Sequence, residues 1–161
     1  MRRKYNVELF ESKIKKIKDL LPDAFIGVDV IVGVRGEKDE YFEETEKFLK
    51  SLPVSQLHVF TYSERPGTQA LNIDYAVDPK IKQERSRRLL ELSDSKLREF
   101  YKSHIEKTHM VLFEHTQRGN KMHGFTENYI KVEADYDISW VNKLKRVTLK
   151  DFNGEKMLLT L

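Results

Sequence analysis

The chain has 161 residues, 29 Lys and Arg against 26 Asp and Glu, a net charge of +3 and no cysteine. This length fits one ordinary domain or two small ones. With 39% hydrophobic and 34% charged residues it can bury a core, and no apolar run approaches the roughly 20 residues that a bilayer span requires. Without cysteine, disulfides, thiolate-bound zinc, cysteine nucleophiles and protein-ligated iron–sulfur clusters are excluded. The opening MRRKYNVELF lacks the apolar stretch and cleavage site of a signal peptide, so a cytoplasmic location is expected.

Charge is unevenly spread: residues 1–20 and 80–102 are basic and 36–50 acidic. Val7, Phe10, Ile14, Ile17 and Leu21 recur at spacings of three and four, which predicts an amphipathic helix stopped before Pro22. AFIGVDVIVG (24–33) reads as a parallel strand buried on both faces, with Asp29 as a buried carboxylate that needs a partner or a ligand. A second helix spans 39–52, its apolar side made by Phe42, Phe48, Leu49 and Leu52. QLHVFTYS (56–63) is a second strand running into the Pro66-Gly67 turn. Asp78 as N-cap and Pro79 at the first helical position start a helix that continues to about residue 103.

Helix and strand thus alternate as in parallel βα units, yet two parallel strands cannot cover both of their hydrophobic faces. Either a larger fold or a second copy must supply the neighbours. From residue 105 the pattern changes to short β-like runs at 108–115, 121–134, 143–152 and 155–161, separated by Arg118-Gly119-Asn120, Asp135 to Asp137 and Asn153-Gly154. Four or five antiparallel strands in so short a segment suit a small OB-type barrel. The expected fold is therefore α/β over 1–104 followed by all-β over 105–161.

Gly33 and Gly36, after the first strand, allow either close backbone approach to a nucleotide or plain turn geometry. Arg65, at the C-terminal end of the second strand, can grip phosphate or carboxylate, or stack on Tyr62 in solvent. The charged helix carrying Lys80, Arg85, Arg87 and Arg88 can face a phosphate backbone, or form ordinary ion pairs with its own acidic residues. His104, His109, His115 and His123 match no metal spacing. Arg118, Lys121, His123, Phe125, Tyr129 and Lys131 interleave cations with rings as an RNA-binding OB surface does; alternatively Phe125 or Tyr129 fills the core. No nucleophile–base set or carboxylate pair marks a catalytic residue.

DAFIGVDVIVG (23–33), LHVFTYSERPGT (57–68), RSRRLLELSDSKLREFY (85–101) and GFTENYIKV (124–132), in this order, resemble the C-terminal part of the radical S-adenosylmethionine tRNA methylthiotransferases. The nearest branch acts on N6-threonylcarbamoyladenosine beside the anticodon; ribosomal-protein methylthiotransferases are sister enzymes. The resemblance implies the last two strand units of a partial radical-SAM barrel followed by a TRAM domain that binds the tRNA anticodon stem-loop. It places Val30, Ile31, Gly33, Val59 and Phe60 in an S-adenosylmethionine pocket and Arg65 at its mouth. Arg118, Lys121, Phe125, Tyr129 and Lys131 would meet the tRNA. The family's two 4Fe–4S clusters would lie outside this chain, which alone is expected to be inactive. Where the family usually reads glycine-phenylalanine-proline-glycine-glutamate, this chain has Gly33-Val34-Arg35-Gly36-Glu37. The implied function is a fragment of an enzyme that adds a methylthio group at carbon 2 of the modified adenosine, either joined to a missing N-terminal half or paired with a copy of itself. A self-standing RNA-binding or scaffold protein that dimerises through its βα remnant is the alternative expectation.

Overall fold

A computed structural model describes residues 6–155 and, as backbone alone, 157–160; the side chains of 116–118 lie outside the described set. The backbone forms two compact units, one up to Lys96 and one from Leu97 on.

In the first unit α1 (Val7–Leu20) begins where the Asn6 side chain accepts a hydrogen bond from Leu9 N–H, satisfying one orphan donor of the first turn. β1 (Gly27–Val32) and β2 (Gln56–Thr61) pair in parallel, from Gly27 opposite Gln56 to Val32 opposite Thr61. α2 (Asp39–Ser51) lies between them in sequence, and a 3-10 turn (Gln69–Asn72) precedes α3 (Pro79–Lys102). Asp78 caps α3 by accepting from Lys80 N–H. One face of the sheet, Val28, Val30, Val32, Leu57 and Val59, packs with Ile14, Phe42, Leu49, Leu52 and Leu89.

The other face is open. Asp29 and His58, cross-strand partners, are exposed, as are Ile31 and Phe60 two pairs further along. This corrects the expectation of a strand buried on both faces and of Asp29 as a buried carboxylate. The apolar run is continuous in sequence, but helices cover one side of the two strands.

The second unit is all-β apart from the end of α3 and a 3-10 turn (Ile138–Trp140). Its strands β3 (Thr108–Arg118), β4 (Lys121–Thr126), β5 (Lys131–Asp135), β6 (Leu144–Phe152) and β7 (Met157–Thr160) close a barrel in the order β3-β4-β5-β7-β6. That is the order of an OB-type Greek key. Two sequence expectations change. The run 121–134 is broken by a turn at 127–130, and β5 pairs with β7 in parallel, so the barrel is not antiparallel throughout. Val111, Phe113, Met122, Ile130, Val132 and Leu149 fill the interior, with no exposed surface on any of them.

Candidate ligand-facing loops and nucleic-acid interface

In the α/β unit the loop after β1 is fixed from within. Gly33 N–H donates to Glu37 Oε2 (2.8 Å), and the same oxygen accepts from Arg85 Nη1 (2.7 Å), which also reaches the Glu37 carbonyl. Arg85, 2% exposed, further donates to Asp39 and lies against the Phe42 ring. Burial disfavours the charged guanidinium, but the hydrogen bonds and charges of Asp39 and Glu37 outweigh it and raise its pKa above the ordinary arginine value. Arg35 ties this loop to the one after β2, donating to Glu64 Oε1 (2.7 Å) and the Ile73 carbonyl (2.7 Å).

The pocket residues suggested by the resemblance divide between the two faces of the sheet. Ile31 and Phe60 are registered partners on the open face, 41% and 53% exposed. Val30 and Val59, also partners, face the helices. Gly33 is buried with φ near +79°, a region that glycine enters freely, and a Cβ there would meet the Lys82 stem at 2.5 Å. Arg65 sits in an exposed loop where Thr68 Oγ1 donates to its carbonyl, and the Tyr62 ring is taken by Lys82 at 5.3 Å.

The basic helix resolves toward structure. Arg87 binds Glu84 and Glu91, and Arg88 binds Glu46. Buried Lys96 donates to the Lys50 and Leu52 carbonyls. Most of its cations are thus engaged by the protein rather than arrayed toward a polyanion.

In the barrel, register brings Leu144, Leu112, Phe125 and Lys131 into one row across four adjacent strands. Leu112, Phe125 and Leu144 are exposed there, and Tyr129, 71% exposed, stands in the β4–β5 turn just before Lys131. Both rings face solvent, so neither fills the core. Lys121 lies opposite Asp135 and donates to it (2.6 Å), which raises its pKa. Arg118 pairs with Lys121 through the backbone, and its side chain lies outside the described residues. His123 is buried against Glu133, Nε2 to Oε2 at 3.0 Å.

Buried Tyr101 accepts at its hydroxyl from Lys131 N–H (3.0 Å), fixing the start of β5. Burial raises its pKa, and the Lys131 bond opposes the rise in part. A raised folded-state pKa contributes stability that is complete below the unfolded tyrosine value near about 10 and disappears as pH climbs through the folded one. Tyr101→Phe is expected to remove this alkaline component and to cost about 1–3 kcal/mol at neutral pH by leaving the Lys131 N–H unpaired. Urea melts at neutral pH and at about pH 11 check both; identical pH profiles for the two proteins would refute the assignment.

Among the described residues no three His, Asp or Glu side chains gather as a metal site, and no helix is long and apolar enough to cross a membrane. Sequence reading gave no role to Glu37 or Asn128 and took Arg85 only as one cation of a charged helix. Glu37 ends the glycine loop and so had a local signal; the other two act through residues distant in sequence.

No protein-family model matches the chain. It is 37% identical over 92% of its length to the threonylcarbamoyladenosine tRNA methylthiotransferase MtaB of Bacillus subtilis, covering 34% of that protein. To the MtaB of Aquifex aeolicus it is 38% identical over 92% of its length, covering 35%. To the tRNA-2-methylthio-N(6)-dimethylallyladenosine synthase of Alkaliphilus oremlandii it is 34% identical over 96%, again covering 34%. The chain therefore spans about a third of the length of the curated relatives it matches. Similarity that runs through both units and extends to both kinds of relative makes this chain the counterpart of about a third of a tRNA methylthiotransferase.

Proposed function

We propose that this chain is the substrate-handling part of a tRNA methylthiotransferase, its barrel a TRAM domain that binds the anticodon stem-loop. Its α/β unit would be the last two strand units of a partial radical-SAM barrel. The observation that carries the RNA reading is the row of exposed Leu144, Leu112 and Phe125 ending in half-buried Lys131, with exposed Tyr129 beside it. Rings accept unpaired bases on their faces while cations meet phosphates, the combination that single-stranded RNA requires. Modification of N6-threonylcarbamoyladenosine is favoured by matches that extend over most of the chain, 37% and 38% identity over 92% to the two relatives named for it against 34% over 96% for the dimethylallyladenosine synthase of Alkaliphilus oremlandii; the synthase of Thermobifida fusca reaches 42%, over 58% of the chain.

The reaction proposed for the complete protein is addition of a methylthio group at carbon 2 of that adenosine. A chain with no cysteine does not fit an iron–sulfur cluster. S-adenosylmethionine, when bound to the complete protein, supplies the methyl group. Ile31 and Phe60 offer an apolar contact for its adenine on the open face, Val30 and Val59 hold the strands from behind, and Arg65 stands in the loop beyond β2. A groove of about 750 Å³ flanked by Phe10, Ile14, Val30 and Phe48 supports further structure alongside β1.

The test is fluorescence anisotropy of a labelled anticodon stem-loop at about 50 mM and about 200 mM salt. Affinity is expected to fall steeply with salt, and Lys131→Ala to weaken binding several-fold and lower the log–log slope by about one phosphate contact. Binding that is undetectable or insensitive to salt would refute the RNA role.

A further inference from the structure

Tyr129 occupies the left-handed backbone region, with φ near +64°. A bulky residue adopts that conformation when its surroundings impose it, and here the surroundings can be named. Tyr129 N–H donates to the Thr126 carbonyl (3.1 Å), and Thr126 and Ile130 close the turn by exchanging Thr126 N–H to the Ile130 carbonyl (3.0 Å) and Ile130 N–H to Thr126 Oγ1 (2.9 Å). Thr126 Oγ1 in turn donates to Asn128 Oδ1 (2.6 Å).

The other end of the Asn128 amide reaches into the protein. Its Nδ2 lies 3.1 Å from Nε2 of His104, a side chain only 1% exposed, and His104 Nδ1 lies 2.7 Å from the Phe100 carbonyl. A carbonyl can only accept, so Nδ1 carries the proton and Nε2 accepts from Asn128. The preceding residue is anchored separately: Glu127 Oε2 accepts from Met110 N–H (3.0 Å) and Oε1 lies 3.3 Å from His109 Nδ1. These bonds hold an exposed aromatic ring on a backbone with little freedom left.

We infer that Asn128, held by buried His104, is a positioning residue that sets the Tyr129 ring for stacking on an unpaired RNA base. This rests on the RNA-binding reading of the barrel. A ring whose backbone is already fixed loses less entropy when a base settles on it, so the brace raises affinity without touching RNA. Its loss should remove the stacking contribution and leave the phosphate contacts, and hence the salt slope, unchanged.

The experiment is a double-mutant cycle on the full chain, with a labelled anticodon stem-loop as probe and far-ultraviolet circular dichroism to confirm folding. Tyr129→Ala is expected to weaken binding about tenfold, the scale of one lost base stack. Asn128→Ala should weaken it several-fold at an unchanged salt slope, and in the Tyr129→Ala background it should cost nothing further. Equal cost in both backgrounds, within about twofold, would overturn the brace. So would wild-type affinity for Asn128→Ala. Failure of the wild-type chain to bind would overturn the RNA reading itself, and a neutral Tyr129→Ala with wild-type binding intact would overturn the ring's role. If Asn128→Ala does not fold, His104→Gln and His104→Leu decide. The glutamine amide retains an acceptor for Asn128 and should preserve affinity, whereas leucine should lose it, and equal affinities would overturn the inference.

Discussion

Arg85→Ala is expected to destabilise the α/β unit by about 3–5 kcal/mol, the usual consequence of removing one partner of a buried ion pair. Arg85 is nearly inaccessible, and the Glu37 carboxylate it neutralises is itself mostly covered. Without the guanidinium, Glu37 keeps one donor, the Gly33 N–H, and is left as a desolvated anion. The Asp39 arm counts for less, because that carboxylate is exposed; Asp39→Ala should cost no more than about 1 kcal/mol. Urea melts of the full chain measure both, and amide exchange at Gly33 reports whether the loop after β1 loosens with the global loss. Adding Glu37→Gln to Arg85→Ala should recover part of the stability, since the second change removes the stranded charge. If Arg85→Ala melts like the wild type, or if the double variant is worse than the single, the charge-pair account is wrong.

What the sequence made legible was periodicity. Spacings of three and four between Val7 and Leu21 and the Asp78-Pro79 start signal correspond to α1 and α3 within a residue or two, because helix faces and caps are local. The Asn153-Gly154 signal falls between antiparallel strands β6 and β7. Asp29 was misjudged because an apolar run says nothing of which side its neighbours cover. The turn at 127–130 was hidden inside GFTENYIKV, where no glycine or proline follows Gly124 and Tyr129 is held in the left-handed region by the bonds of its turn, with Asn128 reaching distant His104, rather than by its own preference. Arg85 looked like a member of a basic face; its role depends on Glu37, 48 residues away. The site row Leu144–Leu112–Phe125–Lys131 could be read in part, since Phe125 and Lys131 belong to one interleaved segment, but β3 and β6 join it through a barrel register that no local pattern encodes.

The same register makes Gly124 the least replaceable glycine of the barrel. A Cβ there would stand 2.6 Å from the Leu112 carbonyl oxygen, 2.7 Å from Val111 Cγ1 and 3.1 Å from Phe113 Cα. Two of these are backbone atoms of β3, which pairs with β4 on one side and β6 on the other and so cannot retreat without straining both ladders. Gly124→Ala is expected to cost about 3 kcal/mol, at the upper end of the overpacking range because backbone rather than a flexible side chain must move. Gly119→Ala provides the contrast: none of the described residues lies within 4 Å of its Cβ position, and its φ of +62° costs about 1 kcal/mol in lost left-handed freedom. Because Phe125 follows Gly124 and pairs with Leu112, displacement of β3 should also disturb the exposed row, so that RNA affinity falls for Gly124→Ala at temperatures where the chain is still folded. Gly119→Ala should bind RNA as the wild type does. Equal melting points for the two alanine variants would mean that β3 yields to a methyl group, and unchanged RNA affinity in Gly124→Ala would separate the row from the packing beneath it.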